Sequence, residues 1–154
     1  AYAPILERLS GELWDAVAAE FAQLNTRFPV STSRGAWFLQ VPIGHNRVHY
    51  EWLIQKTKRS MHVAVHWELH DREANFAMLE PIQARAAEIG RGVEYEFIAG
   101  PWGKHHARAA FVVPCEDFGS VGDIAPEAAR VMDILIDRTW PILEPLLTKG
   151  TGNA

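Results

Sequence analysis

Hydrophobic positions recur along the chain at two different spacings. Between Pro4 and Leu24 they fall at Ile5, Leu6, Leu9, Leu13, Trp14, Val17, Phe21 and Leu24, which gathers them on one face of a helix. "NTRFPVSTSRG" breaks that pattern and reads as a loop. Three runs rich in aromatic and branched residues follow, "AWFLQVPI", "VHYEWLIQ" and "SMHVAVHWELH", separated by the short polar stretches "GHNR" and "KTKRS". That composition predicts an antiparallel meander with hairpin turns, and Pro42 places the first strand at an edge or at its own end. Asp71 as N-cap and Gly90 as stop frame a second helix with a stripe of Phe76, Leu79, Ile82, Ala86 and Ile89, kinked at Pro81. Two more strands are expected at "VEYEFIA" and "ARAAFVV", joined by "GPWGKHH", and then a loop, "PCEDFGSVGDIA". The last helix is expected from near Pro126, with Val131, Ile134, Leu135, Trp140, Leu143 and Leu147 apolar; Pro141 and Pro145 should bend or end it.

The element order is therefore α-β-β-β-α-β-β-α. Consecutive hairpins rather than strand and helix crossovers favour an α+β fold with an antiparallel five-stranded sheet and helices packed mainly on one face. At 154 residues the chain has the size of one domain, expected over 1–147, with "TKGTGNA" at 148–154 as a mobile tail.

Composition narrows the function classes. Hydrophobic side chains make up 48%, including six Trp and seven Phe, which suits a packed core rather than disorder. A formal charge of -4 argues against general polyanion binding, although local basic patches remain. Cys115 is the one cysteine, so an internal disulfide is excluded and a reducing, cytoplasmic setting is expected. The opening residues resemble neither a signal peptide nor a membrane span, and no membrane association is expected.

The row His62, His66, Glu68 and His70 carries the most suggestive chemistry. Apolar positions must face apolar positions across a strand pair, so Val48, Tyr50, Trp52 and Ile54 are matched with Leu69, Trp67, Val65 and Val63, leaving Thr57 to Ser60 as the turn. The opposite face then pairs Arg47 with His70, His49 with Glu68, Glu51 with His66 and Gln55 with His62. Such pairs explain the row as a solvated face without any ligand. The sharper alternative is a divalent metal such as Zn held by His49, His66 and Glu68, with Glu51 as general base of a hydrolase. Histidines beside carboxylates also suit a pH-sensitive groove. Phe38, which would oppose Leu53 on this face, makes the surface mixed rather than purely wet.

Two hairpin tips add candidates. "GPWGKHHARAA" concentrates Trp102, Lys104, His105, His106 and Arg108, able to stack on a base or clamp a phosphate, although a tight turn with solvated charges is the preferred account, since turns favour Gly and Pro anyway. Lys56, Lys58 and Arg59 form the other tip. Glu94 and Glu96 share a strand face and read as solvated. No nucleophile motif, phosphate loop or dinucleotide fingerprint occurs, and Cys115 reads as a small buried hydrophobe.

From "LWDAVAAEFAQL" through "AWFLQVPIG", "YEWLIQKTKRSMHVAVHWEL", "NFAMLEPIQARAAEIGRGVEYEF" and "KHHARAAFVV" to "VMDILIDRTWPIL", the chain resembles a bacterial domain family of unknown function, found alone or fused to predicted restriction-type nuclease domains. The resemblance lies in element order and hydrophobic placement, and it implies an accessory role in nucleic-acid or defence systems without supplying active-site residues.

The functional expectation is a noncatalytic binding or assembly domain, with no cofactor and with a homodimer or protein partner. Its contact surface is expected around Phe38, His49, Glu51, His66, Glu68, Trp102, Lys104 and Arg108. The alternatives are the metal-dependent hydrolase, of which a phosphodiesterase or nuclease is one form, and a nucleic-acid-binding module using Lys56, Lys58, Arg59, Trp102 and Lys104, which the net charge does not indicate.

Overall fold

A computed structural model describes every residue except Ala1, Thr26, Thr32, Ser33, Lys56, Phe118 and 151–154. Its elements are α1 (Tyr2–Leu24), β1 (Phe38–Pro42), β2 (Val48–Gln55), β3 (Ser60–Trp67), α2 (Arg72–Ala84), α3 (Ala86–Gly90), β4 (Glu96–Trp102), β5 (His106–Pro114), a 3-10 turn (Cys115–Asp117) and α4 (Val121–Gly150). The five strands form one antiparallel sheet in the order β1-β2-β3-β5-β4. This is the expected α+β architecture.

Alternation along the strands sorts the sheet into two unlike faces. Leu39, Val41, Tyr50, Trp52, Val63, Val65, Ala109 and Phe111 join Leu13, Trp14, Val17 and Phe21 of α1, Leu79 and Ile82 of α2, Ile89 of α3 and a long stripe of α4 in one hydrophobic core. Two buried hydrogen bonds lock α4 to β2: Trp52 Nε1 donates to the Ala128 carbonyl at 2.9 Å, and Tyr50 Oη meets Thr139 Oγ1 at 2.7 Å. Phe21 packs edge-on against Trp52, with centroids 5.3 Å apart, and brings α1 onto the same layer. Among the described residues no helix lies on the opposite face, and no helix is long and apolar enough to cross a membrane.

Helix ends depart from expectation in three places. Asp71 caps α2 as anticipated, accepting from Glu73 N at 3.0 Å, but the break comes at Arg85, whose φ of -111° and ψ of 18° separate α2 from α3; Pro81 is carried inside the helix. α4 begins at Val121 rather than near Pro126, with Ser120 Oγ accepting from Asp123 N at 3.2 Å. It also runs through Pro141 and Pro145 to Gly150, beyond the domain end expected at 147. Each proline forfeits a backbone bond, but burial of Leu135, Ile136, Leu143 and Leu147 holds the helix together across the gaps. Glu94 precedes β4 instead of lining it, and its carboxylate takes a hydrogen bond from Arg130 at 2.5 Å.

The link from β3 to α2 hangs on one side chain. Asn75 is fully buried; its Oδ1 accepts from Leu69 N at 2.7 Å, and its Nδ2 donates to the carbonyls of Leu69 and His105 at 3.0 and 2.8 Å. Replacing it with alanine leaves the half-buried Leu69 N–H and the carbonyls of Leu69 and His105 without this partner. We expect N75A to lower unfolding free energy by roughly 2 to 4 kcal/mol in urea titration; a loss below about 0.5 kcal/mol would show that the link is held elsewhere.

Candidate functional site

The helix-free face is built from alternate residues of all five strands. By register it carries Gln40 and Pro42 of β1, His49, Glu51 and Leu53 of β2, His62, Ala64 and His66 of β3, His106, Arg108, Ala110 and Val112 of β5, and Ile98, Gly100 and Trp102 of β4. The β2–β3 pairing differs from the expected one by two residues. His49 lies opposite His66, Glu51 opposite Ala64 and Leu53 opposite His62, with Gln55 and Ser60 closing the turn. A shift of two keeps every side chain on its face, so the apolar pattern could not reveal it. Turn geometry decides instead: Arg59 adopts a φ of 51° as the last residue before β3.

The shift opens a place for Arg108, which enters from β5 opposite His66. Its Nη2 donates to Glu51 Oε1 at 2.5 Å and its Nε donates to His66 Nδ1 at 3.2 Å. His66 Nε2 in turn lies 3.1 Å from Glu68 Oε1. The expected direct contact between Glu51 and His66 is thus a bridged one. The expected partner of His49, Glu68, sits beyond the strand end, where its N–H donates to the Arg47 carbonyl, and His49 Nε2 contacts Gln40 Nε2 at 3.3 Å and Glu51 Oε2 at 3.8 Å.

Although no helix lies over them, these groups are nearly sealed from solvent. His66 is 3% exposed, Arg108 4%, Glu51 and His62 5%, and Ala64 and Ala110 0%, yet neither alanine belongs to the main core. The Arg108 side chain crosses β3 to reach Glu51, and the Trp102 ring lies over its guanidinium, 4.2 Å from ring centre to Cζ. That ring lies 5.6 Å from the His62 ring and 6.4 Å from the His66 ring, so it spans the stretch between them. β4 extends to Trp102, which the sequence pattern assigned to a loop, and this extension lets the side chain fold back across β5.

Burial sets the electrostatics. It pushes the His66 and His62 imidazoles down to about 3 and about 4, and the charge of Arg108 pushes both further the same way. Burial pulls Arg108 downward and Glu51 works against that pull. For Glu51 burial acts upward, but contact with His49 and the charge of Arg108 outweigh it and hold the carboxyl below the usual range. The centre is therefore a neutral His66 between an ion pair and a second carboxylate. Because arginine can only donate, His66 Nδ1 must present its lone pair to Arg108, which puts the ring proton on Nε2, toward Glu68.

Compared with known families, curated proteins and solved structures, the chain matches none.

The remaining candidates separate. Among the described residues, the ligand atoms that gather within 4.8 Å of one another are those of His66, Glu68 and His106, so His106 takes the position expected of His49. Phe38 opposes Leu53 on β1, at the sheet edge away from β4, and stays apart from Trp102. Lys104 is exposed at the hairpin tip, where its carbonyl accepts from Arg72 Nε at 2.9 Å. Lys58 and Arg59 are exposed at the other tip, and Lys56 lies outside the described residues. A cleft of about 240 Å³ lined by Leu24, Asn25, Arg27, Asp133, Ile136 and Asp137 belongs to α1 and α4 and has no part in this cluster. The importance of His62 and Ala64 was invisible without knowing where Trp102 reaches. The only local signal was the small residues Ala110 and Ala64, which leave room for large side chains to lie across the strands.

Proposed function

We propose that this chain is a noncatalytic binding or assembly module that takes its partner on the helix-free sheet face. The supporting observation is a polar centre in which Glu51, Arg108, His66 and Glu68 are joined to one another, ringed by half-buried Phe38, Leu53, Ile98, Val112 and Trp102. Apolar area supplies association energy, and a few oriented polar groups set register. A catalytic base needs a free lone pair within reach of substrate. Glu51 is bound to Arg108, and His66 is engaged at both nitrogens.

A second copy of the chain or another protein is the favoured partner, since the net charge of -4 weakens the case for nucleic acid. The family resemblance suggests an accessory place in nucleic-acid or defence assemblies, and the single cysteine suits a cytoplasmic one. The reading is tested by sedimentation velocity over a concentration series, combined with hydrogen exchange in the presence of candidate proteins and single-stranded oligonucleotides. Concentration- or partner-dependent protection of β1, β2 and β4 supports it. Protection confined to the helical side, or a monomer that nothing protects, overturns it.

A metal-dependent hydrolase is the second reading, favoured by the triangle of His66, Glu68 and His106. Metal on His66 Nε2 would require the ring proton to move to Nδ1, where it would oppose the Arg108 Nε–H. We therefore expect zinc to leave the melting temperature unchanged. Stabilisation of the wild type by stoichiometric zinc, absent in H106A, would put the metal reading first.

A further inference from the structure

We infer that the slot filled by the Trp102 ring is a binding site for a flat nitrogen heteroaromatic ring bearing a hydrogen-bond acceptor, the chemistry of a purine base, and that the Trp102 side chain holds the place such a ring would take. The inference rests on the reading of this face as a binding surface and names the chemistry it receives.

The slot is shaped for a flat ring. Its floor is the Arg108 side chain, which crosses β3 beside the small residues Ala64 and Ala110 to reach Glu51. The His62 and His66 rings stand at 63° and 87° to the indole plane and form two walls. The Arg108 guanidinium stacks 4.2 Å from the ring centre, an arrangement that accepts any electron-rich aromatic face. Glu51 already neutralises Arg108, so the slot favours a neutral ring over a bare anion.

Two buried atoms show what the indole fails to supply. Arg108 spends Nε and Nη2 on His66 and Glu51, while Nη1 has no partner; His62 Nδ1 has none either. Both residues are about nineteen-twentieths buried, and both border the Trp102 ring. An indole has one donor and no acceptor, so it cannot satisfy Arg108 Nη1. A purine edge offers ring nitrogens and, in guanine, a carbonyl oxygen, alongside donors that suit either tautomer of His62.

The indole is also placed to leave. Trp102 is the last residue of β4 and adjoins Gly103, whose φ of 68° forms the hairpin turn, so rotation about the side-chain bonds lifts the ring without unpairing the strand. Part of the residue already meets solvent, as its intermediate exposure shows.

The test is calorimetric titration of wild type and W102A with guanosine and with indole, after thermal melting has shown that both are folded. Guanosine should bind W102A about tenfold more tightly than it binds wild type, where the side chain competes, and about tenfold more tightly than indole binds W102A. Adding H62L should cost roughly tenfold of the guanosine affinity. Equal or stronger binding of indole, or no binding of either probe, overturns the proposal.

If W102A does not fold, wild type labelled with 5-fluorotryptophan serves instead: the Trp102 resonance, identified by its loss in W102F, must move on adding guanosine, and a fixed resonance overturns the proposal. A short single-stranded oligoguanosine distinguishes the source, since tighter binding than the nucleoside points to a base within a strand and equal binding to a free nucleoside. Failure here leaves partner-dependent protection of the sheet rim intact, whereas failure of the assembly reading removes that protection whatever guanosine does.

Discussion

Replacing Glu51 with leucine is expected to lower the unfolding free energy by about 3 to 5 kcal/mol, which is the usual penalty for leaving a buried charge without its partner. Arg108 is 4% exposed and cannot lose its proton, so once Glu51 is gone its charge is left with the neutral His66, the Trp102 face and the more distant charge of Glu68. Urea unfolding of E51L reads the loss directly. The double variant E51L/R108M should recover most of it, because two apolar side chains of similar volume can replace a buried pair at little cost. That recovery separates the pair from a simple packing defect: if E51L/R108M is no more stable than E51L, the guanidinium is not what suffers. A loss of less than about 1 kcal/mol in E51L would place the pair in solvent, where ion pairs contribute little.

Acidification is the second large effect. In the folded chain His62 titrates at about 4 and His66 at about 3, both below the ordinary histidine value near 6.5 that the unfolded chain keeps. Between those limits the unfolded state binds more protons than the folded one, so stability is fully present above about pH 6.5 and falls as pH drops through 4 toward 3. The depressed carboxyl of Glu51 acts in the same direction at the acid end, since protonating it breaks the pair with Arg108. From pH 7 to pH 4 the two rings together correspond to a loss of about 6 kcal/mol, a large part of the roughly 5 to 15 kcal/mol by which such domains are usually stable. Urea midpoints measured across this range check it. H62L should flatten the profile between pH 6.5 and 4; a profile that is already flat in the wild type would mean that these rings are hydrated and titrate normally.

Much of the architecture was legible in the residues because it rests on periodicity. The stripe Leu13, Trp14, Val17, Phe21 predicts α1, and alternation in "VHYEWLIQ" and "SMHVAVHW" predicts β2 and β3 and the correct face for each of their side chains. Asp71 as a cap was equally local, since its bond to Glu73 N spans two residues. Register was not local. A slip of two residues costs the alternation nothing, so the pairing of Glu51 with His66 and the true pairing with Ala64 were equally consistent with the pattern. The extent of α4 was hidden for a related reason: three prolines weaken it along its own length, and only the burial of its stripe against α1 and the sheet compensates.

By itself the sequence determined the order and type of the main elements, which face of β2 and β3 is apolar and that histidines and acids share the other, because those properties depend on spacing along one segment. Tertiary structure alone decided that β5 lies beside β3, which carries Arg108 between Glu51 and His66 and lets Trp102 reach the His62 and His66 rings. Contacts between segments so far apart in the chain depend on strand order and register, and no spacing within either segment encodes them.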